Sequence, residues 1–460
     1  MNSNFFRESK KVFTSKKVLA GLVATLSLLI FFRIGALIAM PGVKILEDVQ
    51  TEGNTLLDIM NLLGGGGASQ LSIFSVGISP YITAQIIVQL LSSDIIKPLA
   101  RLAKSGEKGR RKIEIINRIL TVFFALAQGY AILSLSISTG KFEIDGQTTL
   151  ASLQWYTVFK VLIGFVAGSL ISLFIADIIT KKGIGNGISL LIMSGILSSL
   201  VTNFQNVFFV LVQTDGVSPN QVLLGYLSFI GYLLLFIILL VGVIFIYNSI
   251  RKIPIQQIGQ ALTTSSEDLA YLPIKVNAAG VIPVIFASSI MSIPSTIAQF
   301  VSQDVSQVIN NFFSLTSWSG LSLYVILIIL FSFFYSYIQL NPEQISENFK
   351  KSGKYIPGVK AGLTTEKYIS RVLIRINCIG APFLALIASV PYILSITTGL
   401  PSGLAIGGTG IIIIVSGSLD FWQALCSAET NYSYSKSKKS IEQKYIDSQN
   451  EDDSSISHLW

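Results

Sequence analysis

The sequence predicts an all-α polytopic membrane protein, and three observations lead there. Only 13% of its 460 residues are charged and 51% are hydrophobic, against about 25% charged in an average soluble domain. The charges are missing in blocks rather than thinned evenly. No Asp, Glu, Lys, Arg or His occurs from Gly183 to Thr214, Gly216 to Ile250, Val276 to Gln303, Val305 to Pro342, or Ile376 to Leu419. Each block exceeds the ~20 residues that cross a bilayer as a helix. The strict alternation of a membrane barrel is absent, so helices must satisfy the backbone polar groups within these runs.

Ten apolar segments follow in order. The first, near residues 18–39, comes after a basic arm at 1–17; it is long, lacks a small-residue cleavage site and reads as a retained helix. Spans 2, 3 and 4 are expected near 76–93, 119–137 and 154–177. Span 5 near 185–207 and span 6 near 222–248 fill the first two charge-free blocks. Spans 7 and 8, near 276–300 and 320–340, fill the next two, and spans 9 and 10, near 376–396 and 404–425, share the last. The chain divides into an N-terminal half at 18–215, a C-terminal half at 216–426 and a tail at 427–460. That tail is rich in Ser, Lys and acids and reads as flexible and solvated.

Charge placement orients the helices. A cytoplasmic N-terminus puts 29 of the 33 Lys and Arg on one side; the others are Arg33 and Lys160 within spans, and Lys44 and Lys141 outside. The positive-inside rule therefore predicts that both termini face the cytoplasm. Two basic loops stand out: Lys97 to Lys112, and a stretch of about 341–375 with Lys350, Lys351, Lys354, Lys360, Lys367, Arg371 and Arg375. Anchoring to anionic lipid explains their charge but not their length; an acidic protein surface or rRNA fits the charge equally well. On the other side, Gly64-Gly65-Gly66-Gly67 follows the apolar stretch Leu56 to Leu63. That segment is too short to span and too apolar to float, so it should fold back into a cavity or lie on the interface.

Composition removes most enzyme chemistry. The single histidine, His458, stands in the polar tail, so neither a Ser/His/Asp triad nor a multi-histidine metal site can form in the membrane. Cys378 and Cys426 lie in different apolar segments and read as small buried packing residues rather than a disulfide. No GxxxxGK[ST] phosphate loop occurs; Gly106-Glu107-Lys108-Gly109 lacks the spacing. No cofactor is expected, and any energy source must come from a partner.

Several longer strings go beyond composition: Gly106-x-x-Gly109-Arg110-Arg111-Lys112, Gly183-Ile184-Gly185-Asn186-Gly187-Ile188-Ser189, and Lys275-Val276-Asn277-x-Ala279-Gly280-Val281-Ile282-Pro283-x-Ile285-Phe286-Ala287-Ser288-Ser289. With Phe32-Arg33-Ile34-Gly35, Pro41-Gly42-Val43, Ser72-Ile73-Phe74-x-x-Gly77-Ile78-Ser79-Pro80-Tyr81-Ile82, Asn348-x-Lys350-Lys351-Ser352-Gly353 and Gly407-Gly408-Thr409, they resemble the bacterial SecY family, the central channel subunit of the Sec protein translocase. The resemblance runs in order from about Arg7 to Tyr434.

The resemblance implies a ten-helix channel of two inverted five-helix halves, carrying unfolded secretory chains across the cytoplasmic membrane and releasing hydrophobic segments into it. Its waist would be a pore ring of Ile78, Ile82, Ile188, Ile192, Ile285 and Ile413. The two i, i+4 pairs each share a helix face; without the resemblance such pairs read as lipid-facing or packing residues. A plug is implied at about 57–72, including Leu62, Leu63, Gly64, Gly65, Gly66 and Gly67, with a glycine run longer than the family's. A lateral gate is implied between spans 2/3 and 7/8, where Thr83, Gln89, Gln128 and Asn277 could hydrogen-bond across the seam. The loops at about 249–275 and 341–375 would dock the ribosome and the SecA motor ATPase, with Arg110, Arg111, Lys350, Lys351 and Lys360 as contacts. The implied partners are SecE, SecG, signal sequences, unfolded preproteins and membrane lipid. The loop between spans 6 and 7 lacks the expected basic cluster, and Lys360-Ala361 stands where Arg-Pro is usual; Lys keeps the charge but not the planar fork. The alternative, a secondary small-solute transporter, would need intramembrane ionisable residues that are scarce here. A membrane scaffold would leave the basic loops and glycine segment unexplained.

Overall fold

The computed structural model describes residues 15–45, 71–92, 96–138, 142–144, 147, 154–212, 219–257, 270–298, 303–398 and 407–457. The N-terminal half consists of α1 (Lys16–Leu37), β1 (Val43–Ile45), α2 (Ser79–Leu90), α3 (Lys97–Lys104), α4 (Gly106–Ser138), β2 (Phe142–Ile144), α5 (Trp155–Lys182) and α6 (Gly187–Leu211). The C-terminal half consists of α7 (Pro219–Asn248), β3 (Ile250–Pro254), β4 (Gln256–Gln257), β5 (Tyr271–Lys275), α8 (Ile282–Ile297), α9 (Gln303–Phe313), α10 (Trp318–Leu340), α11 (Pro342–Lys351), β6 (Lys354–Tyr355), α12 (Leu363–Thr398) and α13 (Gly407–Ser457).

Helices stand at all ten positions where the sequence predicts spans, and eight are long and apolar enough to cross a membrane. The other two, α2 and α8, have 12 and 16 residues and fall short of the ~20 a crossing requires. Both begin at the same phrase, Gly77-Ile78-Ser79-Pro80 and Gly280-Val281-Ile282-Pro283. Proline suits a first helical turn but bars backward extension. Gly77 and Gly280 take positive φ, 53° and 65°, and the next residues share a backbone conformation: φ/ψ is −91°/−9° at Ile78 and −89°/−11° at Val281. The non-helical chain before α2 is buried in protein, at Leu71, Ser72, Phe74, Ser75 and Val76. Its polar groups are paired: Met40 N donates to Leu71 O at 3.0 Å, and Ser75 Oγ to Ser72 O at 2.7 Å. Irregular backbone inside a membrane protein is tolerated on those terms.

Within the first half α2 packs on α4, α4 on α5 and α5 on α6, with α1 across α5 and α6; within the second α8 packs on α10, α10 on α12, and α13 on both α7 and α12. The halves meet along two edges. On one, α6 touches α7 and α13; on the other, α8 touches α2 and α4. One apolar core lies inside the C-terminal half, around Val284, Met291, Tyr324, Ile328, Leu384 and Ile412. A second core draws residues from both halves.

The two loops treated separately in the sequence form one unit. β3 and β5 make an antiparallel hairpin, and β4 pairs with β6 from the other loop, Gln256 opposite Tyr355. Ile253, Ile274, Ile356, Ile369 and Leu373 give this unit its own buried core. One further expectation needs correction. Cys378 is exposed and Cys426 half-buried, because Cys378 shares the outward face of α12 with Ile374, where a thiol acts as a small hydrophobe. The tail continues α13 as helix to Ser457; no Gly or Pro follows Gly417 to break it.

A Cβ on Gly168 of α5 would collide with the carbonyl of Ile73, whereas one on Gly231 of α7 would meet nothing. Gly168→Val should therefore destabilise the protein by about 1–3 kcal/mol through overpacking. Gly231→Ala should be neutral or stabilising by up to ~1 kcal/mol. Thermal unfolding in detergent checks both, with Tm falling for the first only.

Candidate functional site

All six isoleucines assigned to the waist lie within the first two turns of a helix. Ile78 caps α2 and Ile82 follows one turn later. At α6 the Asn186 side chain accepts a hydrogen bond from Ile188 N at 3.1 Å, which fixes the helix start and sets Ile188 and Ile192 on one face. Ile285 stands in the first turn of α8 and Ile413 in the second turn of α13. Ile78, Ile82, Ile192 and Ile413 are only 2, 6, 3 and 3% exposed. Ile188 and Ile285 are half-buried, and the six share one apolar cluster with Phe74, Phe286 and Phe331. The cluster thus collects branched side chains from α2, α6, α8 and α13, two helices from each half. Such a surface offers an ion or water nothing in exchange for its hydration.

Where α8 meets α2 and α4, the contact is mainly apolar. Phe286 of α8 sits edge-on to Phe331 and Tyr335 of α10, with ring centroids 6.0 and 5.7 Å away, and Ile82 and Ile86 of α2 join the same cluster. The polar residues expected to bond across this seam mostly do not. Gln128 Nε2 donates to Thr83 Oγ1 at 3.1 Å, tying α4 to α2 inside the first half. Asn277 Nδ2 donates to Gly280 O at 3.0 Å and shapes the turn before α8. Gln89 of α2 is half-buried. Thr83 and Gln128 face each other across the close α2–α4 contact, and Asn277 precedes the helix rather than lying on it.

Arg110, Arg111, Lys350, Lys351 and Lys360 are all exposed. Arg111 pairs with Glu107 at 2.7 Å and Lys351 with Glu347 at 3.6 Å; exposed pairs of this kind are worth at most ~1 kcal/mol and leave the cations free to exchange partners. The loop unit is tied to the helices at its base. Lys275 of β5 lies over the Tyr247 ring, 4.5 Å from its centroid, and 4.0 Å from Asp420 Oδ1. The Tyr247 hydroxyl donates to Asp420, so β5, α7 and α13 share one polar knot. Leu62, Leu63 and Gly64 to Gly67, assigned to the plug, and residues 258–269 of the first loop lie outside the described residues. Among the described residues no group of three or more His, Cys, Asp or Glu could hold a metal ion.

The SecY family profile matches residues 72–422. The chain belongs to the SecY family. It is 49% identical over 439 residues to the protein translocase subunit SecY of Mycoplasmoides gallisepticum, covering 94% of this chain and 86% of the relative. To the SecY subunit of Lactococcus lactis subsp. lactis it is 37% identical over 417 residues, 89% and 93% of the two chains. Solved structures of the same fold include two that illustrate it. One, described as a protein conducting channel, superposes with a TM-score of 0.61 at 19% identity over 89% of this chain and 92% of its own. The other, Sec61 in a canine ribosome–channel complex, gives 0.56 at 17% identity over 89% and 92%.

One residue of the isoleucine core was missed in the sequence. Val281 occupies in the second Gly-x-x-Pro phrase the place of Ile78 in the first, and it packs, half-buried, against both large cores. The repeat of that phrase was the available signal.

The Thr83–Gln128 pair yields an asymmetric prediction. Gln128 Oε1 is buried without a partner, so Gln128→Leu removes one bond, worth about 0.6 kcal/mol, together with that orphaned oxygen, and should be near neutral. Thr83→Val strands the Gln128 amide and should cost about 1–3 kcal/mol. Unfolding midpoints of the two variants in detergent test the difference.

Proposed function

We propose that this chain is the protein-conducting subunit of a bacterial translocase, a passive gated channel for unfolded secretory chains that also releases hydrophobic segments sideways into the membrane. The observation that carries the reading is that Ile78, Ile82, Ile188, Ile192, Ile285 and Ile413, from helices of both halves, fall in one apolar core. In the resting state these side chains act as the pore ring and exclude ions by refusing to replace their hydration. An extended polypeptide parts them, because packing between branched aliphatics is non-directional and reforms behind it. Residues at about 57–72 take the role of the plug in this reading.

Sideways release uses the edge where α8 meets α2 and α4. An apolar signal segment can substitute its own side chains for the contacts of Phe286, Ile82 and Ile86, so opening costs little apolar burial. Thr83–Gln128 holds its own half together in either state. The chain performs no covalent chemistry; direction comes from the SecA motor or a translating ribosome docked on the unit built from β3–β6 and α11. Arg110, Arg111, Lys350, Lys351 and Lys360 present the charge for that docking, and SecE and SecG complete the complex. Both termini face the cytoplasm under the positive-inside rule.

Co-reconstitution with SecE and SecA tests the function: a preprotein should become protease-protected in an ATP-dependent manner, and saturable uptake of a small solute without such protection would contradict it. The ring makes its own prediction. Replacing Ile82 and Ile192 together by serine should raise resting ion conductance in planar bilayers by about tenfold or more, with the fold intact by circular dichroism.

A further inference from the structure

The helix between α8 and α10 has a face that the protein does not cover. In α9 the apolar residues Val305, Val308, Ile309, Phe312 and Phe313 recur at i, i+3, i+4, i+7 and i+8, the spacing of a single helical stripe. Phe313 packs on the core of the C-terminal half and Ile309 is half-buried. Val305, Val308 and Phe312 are 45, 69 and 54% exposed. The stripe is therefore wider than the protein surface beneath it, and Gln307 stands exposed on the opposite side.

The position of α9 says what lies against that stripe. Its 11 residues are too few to cross a bilayer, and it packs on the two helices it joins, so its level is set by their ends at the membrane boundary opposite the β3–β6 unit. Trp318, which opens α10 just after it, is 61% exposed, and indole rings favour the headgroup level. The exposed apolar surface continues down α10 through Ile326 and Leu330. The segment Gln303–Phe313 contains no Lys or Arg and one acid, Asp304, so attraction to anionic lipid is not what would hold it. We propose that α9 lies in the membrane interface with Val305, Val308 and Phe312 inserted among the acyl chains, a lipid anchor that works by apolar burial and is indifferent to headgroup charge. If α8 and α10 form one side of a sideways gate, as the proposed function has it, this anchor holds that side to the lipid surface while the gate moves.

The depth of the helix can be measured without any translocation assay. In a full-length Cys378→Ser, Cys426→Ser background, Val308→Cys and Gln307→Cys are labelled with an environment-sensitive fluorophore and reconstituted into phosphatidylcholine vesicles carrying a nitroxide near the headgroup. The label at 308 should be blue-shifted and quenched at least about twofold more than that at 307, equally with or without added phosphatidylglycerol. Phe312→Cys gives the same readout should the first variant incorporate poorly. Equal, weak quenching at both positions would overturn the proposal, as would quenching that appears only with anionic lipid. A blue shift without quenching would overturn it in favour of a protein partner on this face.

Discussion

Contact between uncharged branched side chains of opposite halves is the interaction on which the rest of this structure depends. Ile78 and Ile82 come from α2, Ile188 and Ile192 from α6, Ile285 from α8 and Ile413 from α13, and they meet in one cluster. No hydrogen bond or ion pair is needed to hold such side chains together, so nothing specific must be broken to part them, and nothing polar is offered to an ion while they touch. A hydrogen-bonded closure would be more directional and would hydrate more readily. The polar ties run elsewhere: Thr83 with Gln128 inside one half, and the knot of Lys275, Tyr247 and Asp420 under the loop unit.

The backbone before these helices explains how the cluster is assembled inside a membrane. The Gly-x-x-Pro phrase sets a short helix going at depth, once in each half, from a turn whose glycine has positive φ. Each helix then begins with its apolar residues already pointing toward the other half. The cost of irregular chain in an apolar medium is contained by burying it in protein and pairing its polar groups, as at Leu71 to Ser75. The loop unit is joined at its base to α7 and α13, and α13 also carries Ile413.

Much of this was legible in the sequence, for a simple reason: a membrane forbids charge in long runs, and charge-free blocks announce helices without any need for periodicity. Helices fall at all ten predicted spans: six lie largely within the five charge-free blocks, and the first four lie in apolar segments that carry few charges, among them Arg33 in the first and Lys160 in the fourth. The exact extents of α2 and α8 were not legible, because apolar residues continue past Pro80 and Pro283 in both directions and hydropathy cannot see a proline-set start. The joining of the two loops through Gln256 and Tyr355 was hidden as well, since two-residue strands carry no pattern. The six isoleucines were found through family strings, not through their own chemistry. The polar residues near the seam were misjudged because a sequence shows which groups can bond but not which neighbour reaches them first, as Gln128 reaches Thr83. Cys378 was misplaced for a related reason: in a membrane helix the outward face is as apolar as the core.

The most direct test of the central claim is site-specific photo-crosslinking to a preprotein stalled in transit. With a photoreactive residue placed in turn at positions 82, 192, 285 and 413, all four should crosslink to the stalled chain, while a probe at Ile379, on the exposed side of α12, should not. Crosslinks from position 379 with none from the isoleucine positions would show that the chain takes another path and would contradict the account.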